Sequence, residues 1–125
     1  VVMIDLDNFK KVNDNYGHQV GDRILKNLCH ILKKRLRSTD DIGRQGGEEF
    51  LIILPNTPIK QAKDLIELLR EQFEQITYVS NNQEFHVTFS AGIACYPKFS
   101  GLNEIIKAAD SALYEAKQAG RNRVC

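Results

Sequence analysis

Three stripes of apolar residues at helical spacing, separated by short strand-like runs, allow this sequence little besides a layered α+β architecture. The first stripe is Ile24, Leu25, Leu28, Ile31, Leu32 and Leu36, and the second is Ala62, Leu65, Ile66, Leu69 and Phe73. The third is Leu102, Ile105, Ile106, Ala109, Ala112, Leu113 and Ala116. Spacings of three and four put each set on one helix face, which needs a sheet or another helix to cover it. The runs between them supply strands. Residues 1–6 are apolar apart from Asp5, as expected of a strand buried on both faces whose last residues emerge at a sheet edge. Residues 41–45, Gly46-Gly47 and residues 48–54 read as strand, two-residue turn with positive φ, strand. Residues 76–79 and 85–94 give further strands around a polar turn at Ser80-Asn81-Asn82. Pro97 and Gly101 separate the last strand from the third helix, and Gly120 stands at its carboxyl cap. A short helix from Phe9 to about Asn13 follows the first strand, with Asp7 and Asn8 as its caps. The expected order is β-α-α-β-β-α-β-β-α, a mixed central sheet covered by helices on one or both faces.

Composition narrows the function classes. The chain has 125 residues, 42% of them hydrophobic and 26% charged, which fits one globular domain over residues 1–125 and excludes a disordered segment. Seventeen basic and 16 acidic side chains leave a net charge of +1, so the broad positive field of a nucleic-acid-binding protein is missing and no nucleic-acid partner is expected. A small polyphosphate ligand needs only a local cluster of donors. Cys29, Cys95 and Cys125 form no metal knuckle or disulfide framework, and no apolar run approaches the roughly 20 residues that cross a bilayer. A reducing, cytoplasmic setting is expected, in a parent protein either soluble or anchored in the inner membrane. The first residue stands inside a strand-like run and residues 123–125 show no terminal element of their own, so both ends read as cut.

The chemistry centres on Asp5, Asp7, Glu48 and Glu49. If the hairpin lies beside the first strand, three carboxylates converge, and like charges that close share a proton or recruit a hard cation such as Mg²⁺. The competing reading is solvated strand ends. Gly46-Gly47 lets a bulky ligand approach the backbone. Asn8, Phe9 and Lys10 open the short helix, where free backbone N–H groups bind phosphate or are simply capped. Lys117 and Arg121, four apart at the end of the last helix, suit either a triphosphate or the helix dipole. Asn13 and Asp22 offer a guanine-reading pair, with turn and cap roles as the alternative. His18, His30 and His86 have no ligand or triad spacing, and Cys29 and Cys95 read as small core side chains.

These residues resemble the GGDEF family, the diguanylate cyclase domain. Gly46-Gly47-Glu48-Glu49-Phe50 matches its signature loop, with glutamate in third place. Asp5-Leu6-Asp7-Asn8-Phe9-Lys10, Asn13-Asp14, Gly17-His18, Gly21-Asp22, Ala116-Lys117 and Gly120-Arg121-Asn122 stand in the family's order and spacing. The resemblance implies a ferredoxin-like, nucleotide-cyclase (palm-like) fold and condensation of two GTP into cyclic di-GMP with Mg²⁺ or Mn²⁺. It implies that Asp5, Glu49 and the Leu6 carbonyl ligate the metal, with Glu48 joining them or activating the ribose hydroxyl. It further implies guanine reading by Asn13 and Asp22, triphosphate contacts from the Phe9 and Lys10 amides, Lys117 and Arg121, and close passage of Gly47 to the nucleotide. Arg37-Ser38-Thr39-Asp40 matches the R-x-x-D product-inhibition site, with a charged helix end as the alternative. The family's leading helix and D-x-L-T-G-L-x-N-R-like stretch are not in this sequence, and its last strand is expected to be incomplete. One set of acids and phosphate donors serves one nucleotide, so catalysis is expected across a homodimer, under control of an upstream sensory or receiver domain. The other readings are a catalytically idle domain that senses GTP or cyclic di-GMP, and an adenylyl cyclase or polymerase-palm relative, against which Asp22 speaks.

Overall fold

The computed structural model describes residues 1–96, 98 and 101–125, so Pro97 lies outside the described residues. Strand β1 (Val2–Leu6) leads into the helices α1 (Phe9–Tyr16) and α2 (His18–Arg35). The hairpin strands β2 (Asp41–Arg44) and β3 (Glu49–Ile53) follow, then α3 (Ile59–Glu74). Strands β4 (Tyr78–Ser80), β5 (Gln83–Phe85) and β6 (Phe89–Ile93) precede α4 (Leu102–Gln118). The central sheet runs β2-β3-β1-β6, antiparallel throughout, which is the ferredoxin-like arrangement of two interlocked split β-α-β units. Residues 123–125 are not without structure. They bond to β6 in parallel, with Ala91 N–H donating to the Arg123 carbonyl (2.9 Å) and Cys125 N–H to the Ala91 carbonyl (2.9 Å).

Alternation along β1 splits the core in two. Val2, Ile4 and Leu6 join Ile24, Leu28, Leu32, Ile66, Leu69 and Phe73 on one face, so α2 and α3 cover that side. Met3 joins Ala94, Ala109 and Leu113 on the other, under α4. The expectation of a strand buried on both faces therefore holds. Gly92 permits the close seat of α4, because a Cβ there would run into the backbone of Ala109, Ala112 and Leu113. Leu102, expected in the buried stripe, is exposed at the first turn of α4.

Four local expectations are corrected. Gly46 and Gly47 do not take positive φ; Gln45 N–H bonds to the Glu49 carbonyl (2.9 Å), so the connection has three residues, Gly46, Gly47 and Glu48, none of them left-handed. The single strand over 85–94 is broken, because β4 and β5 form their own hairpin and Phe85 stacks on Tyr16 (centroids 4.0 Å). Asn8 lies in the left-handed region at φ 56° and offers α1 no side-chain cap, while Asp7 is turned inward. Helix α2 begins at His18 after Gly17, earlier than its apolar stripe indicates, so Asp22 is inside the helix and is not its cap. No helix among the described residues is long and apolar enough to cross a membrane.

Candidate active site

Asp5 is the register partner of Glu49, as Met3 is of Leu51. Met3 and Leu51 pack on the α4 side, so alternation brings Asp5 and Glu49 to that side too, one step nearer the signature loop. The loop is tied to β1 by Leu6 N–H donating to the Glu48 carbonyl (3.3 Å). Leu6 itself pairs in register with Phe89. From α4 the Lys117 ammonium reaches Asp5 Oδ2 (3.6 Å) and Asp7 Oδ1 (3.3 Å). Asp5 Oδ1 is buried and has no hydrogen-bond partner. Burial pushes the Asp5 carboxyl up to about 6; Lys117 opposes this, and the charges of Glu48 and Glu49 add to it.

The three carboxylates lie close enough for Asp5 to feel the charges of both Glu48 and Glu49. Among the described residues no three His, Cys, Asp or Glu side chains are already grouped as a metal cage. Asp5 faces Glu49 across the strands, Glu48 stays in the loop, and the fourth acid, Asp7, is committed elsewhere. Like charges separate unless a cation joins them, and Lys117 is the cation already in contact with Asp5.

Asp7 is 4% exposed and accepts from Ser90 Oγ (2.7 Å), Thr88 Oγ1 (2.7 Å), Asn122 N–H (2.9 Å) and Lys117 Nζ (3.3 Å). It joins the end of β1 to β6, to α4 and to the segment after α4. Its role is to hold these parts together.

Around the acids, Gly46 and Gly47 leave open space, with only the Glu49 carboxylate near the position of a Gly46 Cβ. Helix α1 opens at Phe9 and Lys10 with no side-chain cap, which leaves the first-turn amides to another acceptor. Asn13, on α1, presses against Gly21, where no Cβ fits, and its Oδ1 is buried without a partner. Asp22 is exposed on the next residue. Lys117 and Arg121 do not share a helix face, because α4 stops at Gln118 and Arg121 is left-handed at φ 66°.

Arg37 and Asp40 form a separate unit at the far end of β3 from Glu49. The guanidinium donates to both Asp40 oxygens (3.1 and 3.4 Å), to the Pro55 carbonyl (2.9 Å) and to Thr57 Oγ1 (2.8 Å). Asp40 also receives the Arg37 N–H (2.8 Å). Burial pushes its carboxyl up, but the combined hydrogen bonds and charge of Arg37 hold it below the usual range. A cleft of ≈220 Å³ opens beside the pair, lined by Arg35, Leu54, Thr57 and Leu65 among others.

Sequence reading missed Arg44, whose guanidinium clamps the signature loop through the Gly46 (3.1 Å) and Gly47 (2.7 Å) carbonyls. It also missed the hydroxyls of Thr88 and Ser90 and the amide of Asn122. Signals existed for Ser90, as a polar residue in an apolar run, and for Asn122, within the Gly120-Arg121-Asn122 motif.

A family model described as "Diguanylate cyclase, GGDEF domain" matches residues 1–123. Diguanylate cyclase A of Treponema denticola is 40% identical over 125 residues, 99% of this chain and 34% of that protein. The probable diguanylate cyclase DgcT of Escherichia coli is 43% identical over 129 residues, 99% of this chain and 28% of that protein. The chain thus spans about a third or less of the length of these relatives. The active GGEEF domain of a diguanylate cyclase from Vibrio cholerae superposes with a TM-score of 0.90 at 37% identity, over 99% of this chain and 79% of that one. The GGDEF domain of DgcB from Caulobacter crescentus, in complex with c-di-GMP, does so with a TM-score of 0.90 at 31% identity, over 98% and 74%. With agreement in both sequence and fold along nearly its whole length, the chain belongs to the diguanylate cyclase GGDEF-domain family.

Proposed function

We propose that this chain is a catalytically competent diguanylate cyclase domain that condenses two GTP molecules into cyclic di-GMP and two pyrophosphates. The observation that carries the reading is the pairing of Asp5 and Glu49 across β1 and β3, with one Asp5 oxygen unpartnered, beside a glycine loop open to a ligand. An all-oxygen donor set with an orphaned buried carboxylate oxygen fits a hard divalent cation, Mg²⁺ or Mn²⁺. Asp5, Glu49, Glu48 and the Leu6 carbonyl are the residues that would hold it. When bound, such a cation neutralises charge on phosphate oxygens and makes a nearby hydroxyl more acidic.

The chain's own residues divide the remaining work. The uncapped amides of Phe9 and Lys10, with Lys117 and Arg121, bind and orient the triphosphate. Asn13 and Asp22 read the guanine edge, the unpartnered Asn13 amide oxygen being the observation that favours a ligand there. Gly47 gives the nucleotide room, and Glu48 takes the proton of the attacking 3′-hydroxyl. The α-phosphate is attacked and pyrophosphate leaves, twice per product. One such set of residues serves one nucleotide, so two domains present their GTP molecules to each other in a homodimer. Arg37 and Asp40 bind the product and inhibit. The matching family, and DgcB crystallised with c-di-GMP, support this assignment.

Incubation of the protein with GTP and Mg²⁺, followed by chromatography of the nucleotides, tests the reading. Cyclic di-GMP and pyrophosphate are expected, with a rate that rises faster than linearly with enzyme concentration in the dilute range. GTP bound but unchanged would replace the enzyme by a nucleotide sensor.

A further inference from the structure

After α4 the chain takes three left-handed residues in succession, Gly120 at φ 124°, Arg121 at 66° and Asn122 at 47°. Glycine does this freely and asparagine tolerates it, but arginine is strained there, because its Cβ crowds the following carbonyl. Persistence of the strain requires that the surroundings fix the turn. Part of the restraint is local: Arg121 N–H closes on the Ala116 carbonyl (3.0 Å). Arg123 Nε also donates to the Arg121 carbonyl (3.0 Å), and a further hold comes from α3. Arg70 Nη1 donates to Asn122 Oδ1 (2.7 Å), and Asn122 Nδ2 donates to Glu74 Oε2 (2.7 Å). The amide is read as acceptor on one side and donor on the other, while its backbone N–H is held by Asp7 (2.9 Å). Arg70 is fixed in turn by a fork onto Glu67 (3.0 and 3.1 Å), its side chain 13% exposed. The contacts run without a break from α3 to the residue that follows Arg121, and through Asp7 to Lys117.

We propose that Arg70 and Glu74 are positioning residues for triphosphate binding, gripping the Asn122 amide and so holding Arg121 in its left-handed conformation. The inference rests on the GTP-binding reading above, in which Arg121 contacts the triphosphate. A purely structural ion pair would change stability and leave ligand preference alone. The readout is therefore the ratio of affinities for GTP and GMP, measured by calorimetry with Mg²⁺, since GMP keeps the base, the ribose and the first phosphate.

Two variants carry the test. Arg70→Met removes the donor. Asn122→Gly removes the amide and keeps a residue at ease with positive φ, so it separates grip from backbone tolerance. Each is expected to weaken GTP binding about tenfold, as loss of one charge-assisted phosphate contact does, with GMP binding unchanged. Thermal melting checks that Arg70→Met is folded; if it is not, Asn122→Gly decides alone. A wild-type ratio in Asn122→Gly overturns the inference and leaves GTP binding standing. A parent chain that binds GTP no better than GMP overturns both.

Discussion

Asp5 and Asp7 stand two residues apart, one inside β1 and one just past its end, and share the ammonium of Lys117. Their surroundings are otherwise opposite. Asp7 receives four donors, so its burial costs little. Asp5 keeps one oxygen buried and unpartnered, and its carboxyl is pushed up to about 6. The fold therefore has the means to satisfy a buried acid at this edge and uses them where the acid joins β1, β6 and α4. Two residues away it does not. Under the proposed function, this under-satisfied position is where a cation would be held.

The largest effect that can break this contrast is on stability at Asp7. Asp7→Ala strands two hydroxyls and a backbone N–H, leaves Lys117 only its longer contact to Asp5, and is expected to cost about 4 kcal/mol in denaturant unfolding. A cost near zero would mean that the node holds nothing together. Next comes activity at the opposite site: Glu49→Gln keeps the shape of the register partner of Asp5 and removes its charge, with an expected loss of about 100-fold or more in cyclic di-GMP formation. Melting of this variant should match the parent, in contrast to Asp7→Ala.

Asp5→Asn sharpens the comparison through pH. Because burial raises the carboxyl to about 6 from an ordinary 3.8, the folded chain prefers the protonated acid. Stability from this group is full below the ordinary value and is lost as pH rises through about 6. The variant cannot ionise, so without divalent cation it should gain about 2 kcal/mol over the parent at pH 8 and nothing at pH 3.5. Equal gains at both pH values would refute the unfulfilled-acid account. The smallest effect is expected at the self-contained ion pair, where Arg37→Ala should cost about 1 kcal/mol because Asp40 keeps the backbone N–H of residue 37. That contribution should fade as pH falls through the usual carboxylate range, since Arg37 holds Asp40 below it. Inhibition by cyclic di-GMP should be lost in the same variant.

Much of this was legible before the structure. The stripes of α2 and α3, the two-faced burial of β1 and the hairpin around Gly46-Gly47 follow from apolar spacing, and the structure has all of them. The motif order also led to the family. Less legible was the conformation of the connections. Paired glycines suggested a two-residue turn, whereas the connection has three residues and neither glycine takes positive φ. The strand-like run over 85–94 concealed a break, because Phe85 belongs to the β4–β5 hairpin and stacks on Tyr16 and Tyr78.

Periodicity is a property of neighbouring residues, so the chain's own order was enough to specify which segments are helices or strands and which faces they bury. Partnership is different. The donors to Asp7 come from 81 to 115 residues away, and nothing in local spacing distinguishes Asp7 from Asp5. Packing alone assigned one carboxylate to holding the fold and left the other unfulfilled, because a hydrogen bond between distant segments exists only once the sheet and helices have brought its two ends together.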